Sequence, residues 1–334
     1  MLKYIARRLL TVVPILLGLS VLLFVFIHVL PGDPAYAILG QRATAEQIAL
    51  MHAYLGLDRP LLDQYVQYLG GILHGDLGAS SVNNRPILQV FLQRFPATVE
   101  LTAASLVFAA GAGIPLGRYS GRNAGTWRDA LVTIVSLLGI SIPIFVTGLS
   151  LQYVLAVDLG VLPASGRIDL RLNVPAVTNF MLIDTLLAGN LAAFVDAVRH
   201  LVLPAVSLGS IHMAVIARIT RASYIEVANE DYVRTARAKG LTEKRVDDRH
   251  ILRNAWLPVT TVIGLAVGGL LAGAVITETV FTWNGVGRYV VDAIKNHDYM
   301  VVQSSILIFA LIFLVVNLIV DVVYAVLDPR IRYS

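Results

Sequence analysis

The chain has 334 residues, of which 57% are hydrophobic and 14% charged, with a mean hydropathy of +0.73; soluble domains carry about 25% charged residues, so a soluble catalytic domain does not fit and an all-α polytopic membrane protein is indicated. The net charge of +4 and pI near 9.3 do not describe a nucleic-acid-binding stripe, because the positive residues stand beside apolar runs, where they set topology. The absence of cysteine removes disulfides, thiolate metal sites and cysteine nucleophiles together.

Lys3, Arg7 and Arg8 precede an apolar run from Leu9 to Leu30. A signal-peptide core is about 7–15 residues long, so this longer run predicts a first span with a cytoplasmic N-terminus, and Ala35-Tyr36-Ala37 is not read as a cleavage site. His28, near the outer end, is expected at the interface. From Pro31 to Pro96 the chain is mixed and partly helical: Thr44 and Gln47 have capping-box spacing, and Pro60 opens a stretch whose Leu61, Tyr65, Tyr68, Leu69 and Ile72 describe an amphipathic helix. Neither helix is long enough to span.

Further spans are predicted at Thr98–Leu116, Ala130–Val157, His200–Ala217, Leu257–Phe281 and Ser304–Leu327. Arg118, Arg122 and Arg128 mark the link before the third span as cytoplasmic, and Pro143 within that span predicts a kink. Asp158–Arg199 is placed outside, with an interfacial stretch near Phe180–Val198. In the fifth span Gly264, Gly268, Gly269 and Gly273 form small-xxx-small spacings that permit close helix contact.

Between the fourth and fifth spans lies a polar island, Arg218–Trp256, holding nine of the 26 Lys and Arg residues. Glu230 and Arg234 are spaced for an i,i+4 pair, Gly240 stands where a helix would stop, and Val246, Ile251 and Leu252 follow. The island reads as helix, glycine turn, short helix. In the six-span arrangement 17 basic residues fall on inner segments and nine on outer ones, which predicts both termini inside.

Seven histidines show no zinc-protease spacing, no G-x-S-x-G elbow occurs, and none of Lys3, Lys239, Lys244 and Lys295 closes a phosphate-binding glycine loop. No catalytic residue, metal or cofactor is nominated, and the chain is not expected to hydrolyse ATP itself. Asp321 is the strongest anomaly, since a carboxylate at a span centre costs about 2.5–3.5 kcal/mol on insertion scales. With Asn317, Tyr324 and Asp328 it makes one polar stripe, read as a hydrogen-bonded seam in preference to a translocation path. Glu278, near the outer end of the fifth span, is read as a structural partner.

The segment DYVRTARAKGL followed by RHILRNAWLP resembles the signature loop of the membrane subunits of binding-protein-dependent ABC importers. Arg234, Thr235 and Ala236 stand at its Glu-Ala-Ala, and Gly240, Leu257 and Pro258 at its Gly and Leu-Pro. The first two positions depart and the spacer is longer than in sugar permeases, as in the B-type permeases of the dipeptide and oligopeptide branch. LGLDRPLLDQYVQYL, HGDLGASSVNNRPI, RFPATVELT, ETVFTWNGVG and Asn317–Arg332 are similar to the same branch, so the resemblance covers nearly the whole chain.

The resemblance implies a type I ABC importer permease fold with six transmembrane helices and an external, partly helical segment after the first. Its divisions would be a first span (1–30), an extracytoplasmic segment (31–96), a five-helix transmembrane domain (97–328) containing the coupling loop 218–256, and a cytoplasmic tail (329–334). It implies that the short helix after Gly240 docks on an ATPase subunit, with Arg234, Thr235, Ala236, Lys239, Gly240, Leu241, Val246, Leu257 and Pro258 in the coupling loop. Implied partners are a second, heterodimeric permease subunit, ATPase subunits, an extracytoplasmic binding protein and membrane lipid, in an inner or plasma membrane. Dipeptides, longer peptides, nickel complexes, glutathione and haem are all handled within this branch. The alternatives are an ion-coupled secondary transporter, for which no repeated halves with broken helices are seen, and an intramembrane protease, for which no nucleophile and base can be paired.

Overall fold

The computed structural model describes residues 2–29 and 43–327, and among these the regular structure is helical, apart from an isolated bridge between Ala79 and Pro86. Long apolar runs take this form because a helix satisfies every backbone polar group internally. Two compact units are present: one comprises residues 2–29, 43–95 and 285–318, the other 96–284 and 319–327.

In the first unit, α1 (Leu2–Val29) is followed by α2 (Ala45–Leu55), which starts at the expected capping box. The Thr44 hydroxyl accepts from the Gln47 N–H at 3.3 Å and the Gln47 amide oxygen accepts from the Thr44 N–H at 2.9 Å. Helix α3 (Leu61–Leu73), opened by Pro60, lies on α1: Ser20 Oγ and Tyr65 OH are 2.9 Å apart, and Phe24 meets the Tyr65 and Tyr68 rings. His28 is fixed here by Gln64, 3.1 Å from its Nε2.

Helix α4 (Ile87–Arg122) carries Pro96 and Pro115 inside it, so the second span begins well before Thr98 and the expected limit of the external segment at residue 96 falls within a helix. In the first unit its start packs against α11 (Val286–Lys295) and the head of α12 (Tyr299–Leu327) through Ile87, Tyr289, Ala293 and Val301. The buried Asp298 carboxylate accepts from Ser80 Oγ and, at 3.2 Å, from the Ser81 N–H.

In the second unit the third span is α5 (Trp127–Ser141) and α6 (Ile144–Asp158), which diverge by 104° and so correct the expected kink to a break. Ile142 is extended (φ −87°, ψ 124°), as a residue before proline prefers, and Pro143 then opens α6. Helix α7 (Met181–Leu187) and α8 (Leu191–Ala228) follow. The helix that carries the fourth span therefore starts at Leu191, nine residues before His200. The polar residues that interrupt its apolar pattern are satisfied by the preceding segment: the Asp196 carboxylate accepts from the Asp169 N–H and Arg199 donates to the Val161 carbonyl, both at 2.8 Å.

That segment is ordered by carboxylates. Glu100 receives Arg167 at 2.7 Å and the Leu182 N–H at 2.8 Å. Burial raises the pKa of Asp184, but Thr178 (through Oγ1 and N–H) and the Val177 and Asn179 N–H groups outweigh it and hold the carboxyl below its ordinary range.

Helix α9 (Asp231–Ala238) is short and separate, whereas α10 runs unbroken from Glu243 to Val280 with a π-helical turn at Val246–Leu252. The core of this unit joins Ala97 and Leu101 of α4, Leu201 and Leu208 of α8, and Leu270 and Ala274 of α10 to Trp283, whose indole N–H donates to the Ala97 carbonyl at 2.8 Å. Among the described residues five helices are long and apolar enough to cross a membrane, and six if the bent α5–α6 pair is one span.

Candidate functional site: the coupling loop

α8 ends at Ala228, α9 starts at Asp231 and α10 at Glu243, so two tight turns set α9 off from the spans. Glu230 occupies the N-cap of α9 with extended backbone (φ −68°, ψ 146°) and makes no side-chain cap. The expected Glu230–Arg234 pair is thereby corrected. Arg234 lies 3.4 Å from Asp231, and with side chains 70% and 96% exposed that contact adds little stability.

Gly240 does stop a helix. Its N–H donates to the Arg237 carbonyl at 2.9 Å and the Leu241 N–H to that of Ala236 at 3.4 Å, the two bonds of a Schellman ending. Gly240 has φ +75°, a conformation that costs a residue with a Cβ about 1–2 kcal/mol. The accompanying apolar contact is made by Leu241, which packs on a cluster of Tyr224, Val233, Ala236, Val246 and Ile251. Burial rather than the exposed ion pair holds the loop, since Val233, Val246 and Ile251 are fully covered.

The nominated loop residues thus separate by environment. Ala236 and Val246 are buried and Leu241 half-buried, anchoring the loop; Arg234, Thr235, Lys239 and Gly240 are exposed, as are Tyr232 and Arg237. Leu257 and Pro258 are exposed about four turns into α10. The short helix also precedes Gly240: the stretch after the glycine runs directly into the fifth span as one helix, Glu243–Val280, continuing through the π-helical turn and past Pro258. Beside α9 an open cavity of about 450 Å³ is lined by Glu226, Val227, Glu230, Tyr232 and Asn254.

Two ionic locks brace this end of the unit. The buried Asp129 at the start of α5 accepts Arg221 of α8 in a fork, at 2.6 and 2.7 Å, together with Ser120 Oγ and the Gly125 N–H. Arg118 of α4 donates to Asp247 at 3.1 and 2.6 Å and to Asp248. In the sequence Arg118 stands out only as a topology charge, and Arg221 only as one of the nine basic residues of the polar island. The one local signal was the acids Asp129, Asp247 and Asp248 beside basic residues that a topology role leaves unexplained.

The glycines nominated in α10 also divide. A Cβ on Gly269 would lie 2.7 Å from His212 Nε2 and one on Gly273 3.0 Å from Leu208, both on α8; Gly268 is buried and Gly264 half-buried. The tighter stripe, missed from sequence, is Gly113, Gly117 and Gly121 of α4, against Met213, Ala217, Thr220 and Tyr224 of α8. Its i,i+4 spacing was the available signal.

Glu278 is fully buried and accepts from Thr98 Oγ1 at 2.5 Å, making it a partner between α10 and α4. Asn317 is half-buried in α12; the side chains of Asp321 and Tyr324, and all of Asp328, lie outside the described residues. Among the described residues no group of three metal-binding side chains occurs.

The family model described as "Binding-protein-dependent transport system inner membrane component" matches residues 113–333, and one for the N-terminal region of such membrane components matches residues 1–102. The chain is 46% identical over 338 residues to the dipeptide transport system permease protein DppB of Escherichia coli (strain K12) and 48% identical over 338 residues to the di/tripeptide transport system permease protein DppB of Pseudomonas aeruginosa (strain UCBPP-PA14), in both cases across 100% of each chain. It is 42% identical over 334 residues, again the whole of both chains, to the glutathione transport system permease protein GsiC of Escherichia coli O6:H1. A solved structure described as an amino acid ABC transporter with histidines superposes with a TM-score of 0.50 at 15% identity, covering 73% of this chain and 94% of that one. The fold is that of a type I ABC importer permease.

Proposed function

The chain belongs to the binding-protein-dependent transport system inner membrane component family, and on that footing we propose that it carries di- and tripeptides, or polar solutes of similar size such as glutathione, through an ATP-driven importer. The observation that carries the substrate class is the identity of 46% and 48% to the two dipeptide-system permeases, which extends over whole chains and therefore includes both the external segment and the loop. Membership implies ATPase and binding-protein partners; the ATP hydrolysis would reside in the former, and a second, different permease chain would complete the pathway. The divisions 1–30, 31–96, 97–328 and 329–334 would then serve as first span, external segment, translocating domain and cytoplasmic tail.

We place coupling on α9. Val233 and Ala236 pin one face to the protein while Tyr232, Arg234, Thr235 and Lys239 look outward, so a subunit gripping that outer face would move a helix that is already fixed to α8 and α10. The exposed residues are the contact set; Ala236, Leu241 and Val246 transmit. Asn317, Asp321 and Tyr324 would form a seam in the last span, as Glu278 does with Thr98.

Reconstitution with the partner subunits and binding protein should give dipeptide uptake that requires ATP hydrolysis. Uptake that survives ATP depletion and collapses with an ion gradient would select a secondary transporter. The 17-to-nine division of basic residues further predicts both termini in the cytoplasm. Reporter fusions active only outside should work between Gly40 and Arg85 and fail at Lys239; the reverse pattern would overturn the orientation.

A further inference from the structure

A second groove of the second unit lies apart from the outer face of α9. It measures about 550 Å³ and is bordered by the end of α4 and the first turns of α10. Its apolar wall includes Ile114, Leu252 and Trp256, and its rim Arg118, Arg122, Arg253 and the Asp248 carboxylate that Arg118 neutralises. The apolar run of α4 ends at Gly117-Arg118 and that of α10 starts at Leu257, so the groove straddles the level at which both helices leave hydrocarbon. Trp256, 46% exposed, has the amphipathic ring favoured at that depth.

The three arginines are not equivalent. Arg118 is committed to Asp247 and Asp248. Arg122 reaches Asp247 only at 3.8 Å, with its side chain 55% exposed, and Arg253 is exposed and has no ion-pair partner among the described residues. Two guanidinium groups with donors to spare thus stand beside an apolar wall at the membrane surface. A guanidinium matches a phosphate bidentately, and basic pockets between spans suit anionic headgroups. A free phosphate would satisfy the arginines and leave the wall bare; a neutral lipid would do the reverse. We propose that the groove binds one anionic phospholipid, its phosphate held by Arg122 and Arg253 and an acyl chain laid along Ile114, Leu252 and Trp256. This goes beyond the transport function and holds for either orientation of the chain.

The test uses the purified complex with its partner subunits, dioleoyl-phosphatidylglycerol as the probe, and dioleoyl-phosphatidylcholine as the neutral control, read by native mass spectrometry and by thermal shift. Phosphatidylglycerol should be retained preferentially and raise the melting temperature. At about 1 kcal/mol per basic residue near the surface, Arg122→Gln or Arg253→Gln should each lower its affinity about five-fold, and the pair about 25-fold. Arg253→Lys should keep most of the effect, and Arg128→Gln, off the groove, all of it, which separates lost charge from misfolding. Equal retention by the double variant and the wild type, or no preference over phosphatidylcholine, overturns the proposal. Inorganic phosphate alone giving the same shift would replace the lipid with a free-anion site. Loss of a subunit from the double variant with lipid retention unchanged would show the groove to be a protein interface.

Discussion

Gly117→Leu is expected to remove folded protein almost completely, while Gly111→Leu, six residues earlier on the same helix, is expected to leave it intact. At Gly117 a Cβ would fall on the Ala217 carbonyl oxygen and within 2.6 Å of Thr220 Cβ, so it meets backbone that has no rotamer to change. Nothing lies within 4 Å of a Cβ at Gly111. Gly113 and Gly121, one turn to either side, are equally tight, with a Cβ 2.7 Å from the Met213 oxygen and 2.8 Å from the Tyr224 ring respectively. α4 therefore cannot tilt to relieve the middle position without opening the whole seam. Overpacking commonly costs about 1–3 kcal/mol; a clash with backbone belongs at or above the top of that range, enough to reduce abundance several-fold or more. Detergent-solubilised variants run on a sizing column, with a melting curve for any monodisperse peak, provide the measurement. A Gly117→Leu variant that elutes and melts like wild type would show that α4 and α8 are not held at this separation.

That seam also shows what a single sequence reveals of such a fold. Spans were legible because apolar runs of about 20 residues have few other uses, and local signals worked where the bond they predict is local: Thr44 with Gln47, Pro60, and Gly240. Pairings over long separations were not legible. Asp129 and Arg221 are 92 positions apart, as Arg118 and Asp247 are 129 apart, and nothing in the sequence says which of many basic residues an acid will meet. The glycines of α10 drew notice because they sit in an apolar run, whereas those of α4 sit where the run fades towards Arg118 and Arg122. Pro143 signalled a disturbance without its size, which depends on Ile142 leaving the helical region. For the loop, spacing suggested a Glu230–Arg234 pair, but a helix that begins at Asp231 leaves Glu230 outside it. Of the site itself, Gly240 and its helical flanks were legible; which flank is the free-standing helix was not, because the island's polar residues conceal that α10 starts at Glu243, fourteen positions before its apolar run begins at Leu257.

Gly240→Trp is expected to leave the spans inserted and expression near wild type, yet to cut ATPase association and peptide uptake about ten-fold or more, the loss that follows when roughly 1.4 kcal/mol of interface energy is removed. The structure divides the effect into two parts that a second substitution can separate. The backbone at Gly240 is left-handed at φ +75°, so any side chain pays the conformational penalty. No atom lies within 4 Å of a Cβ there, so a methyl group adds no clash within the chain. Gly240→Ala therefore carries the strain alone, and Gly240→Trp carries the same strain plus a large ring on the outward side of the turn. If an ATPase subunit packs against α9 and its turn, the alanine variant should retain most association and the tryptophan variant little. The cluster of Val233, Ala236, Leu241, Val246 and Ile251 should keep the loop in place in both, since none of these contacts involves position 240. Co-purification of the ATPase with each permease variant, alongside uptake by the assembled complex, gives the two readouts. Unchanged values for Gly240→Trp would place the docking surface elsewhere, and equal losses in both variants would assign the role of Gly240 to the shape of the turn alone.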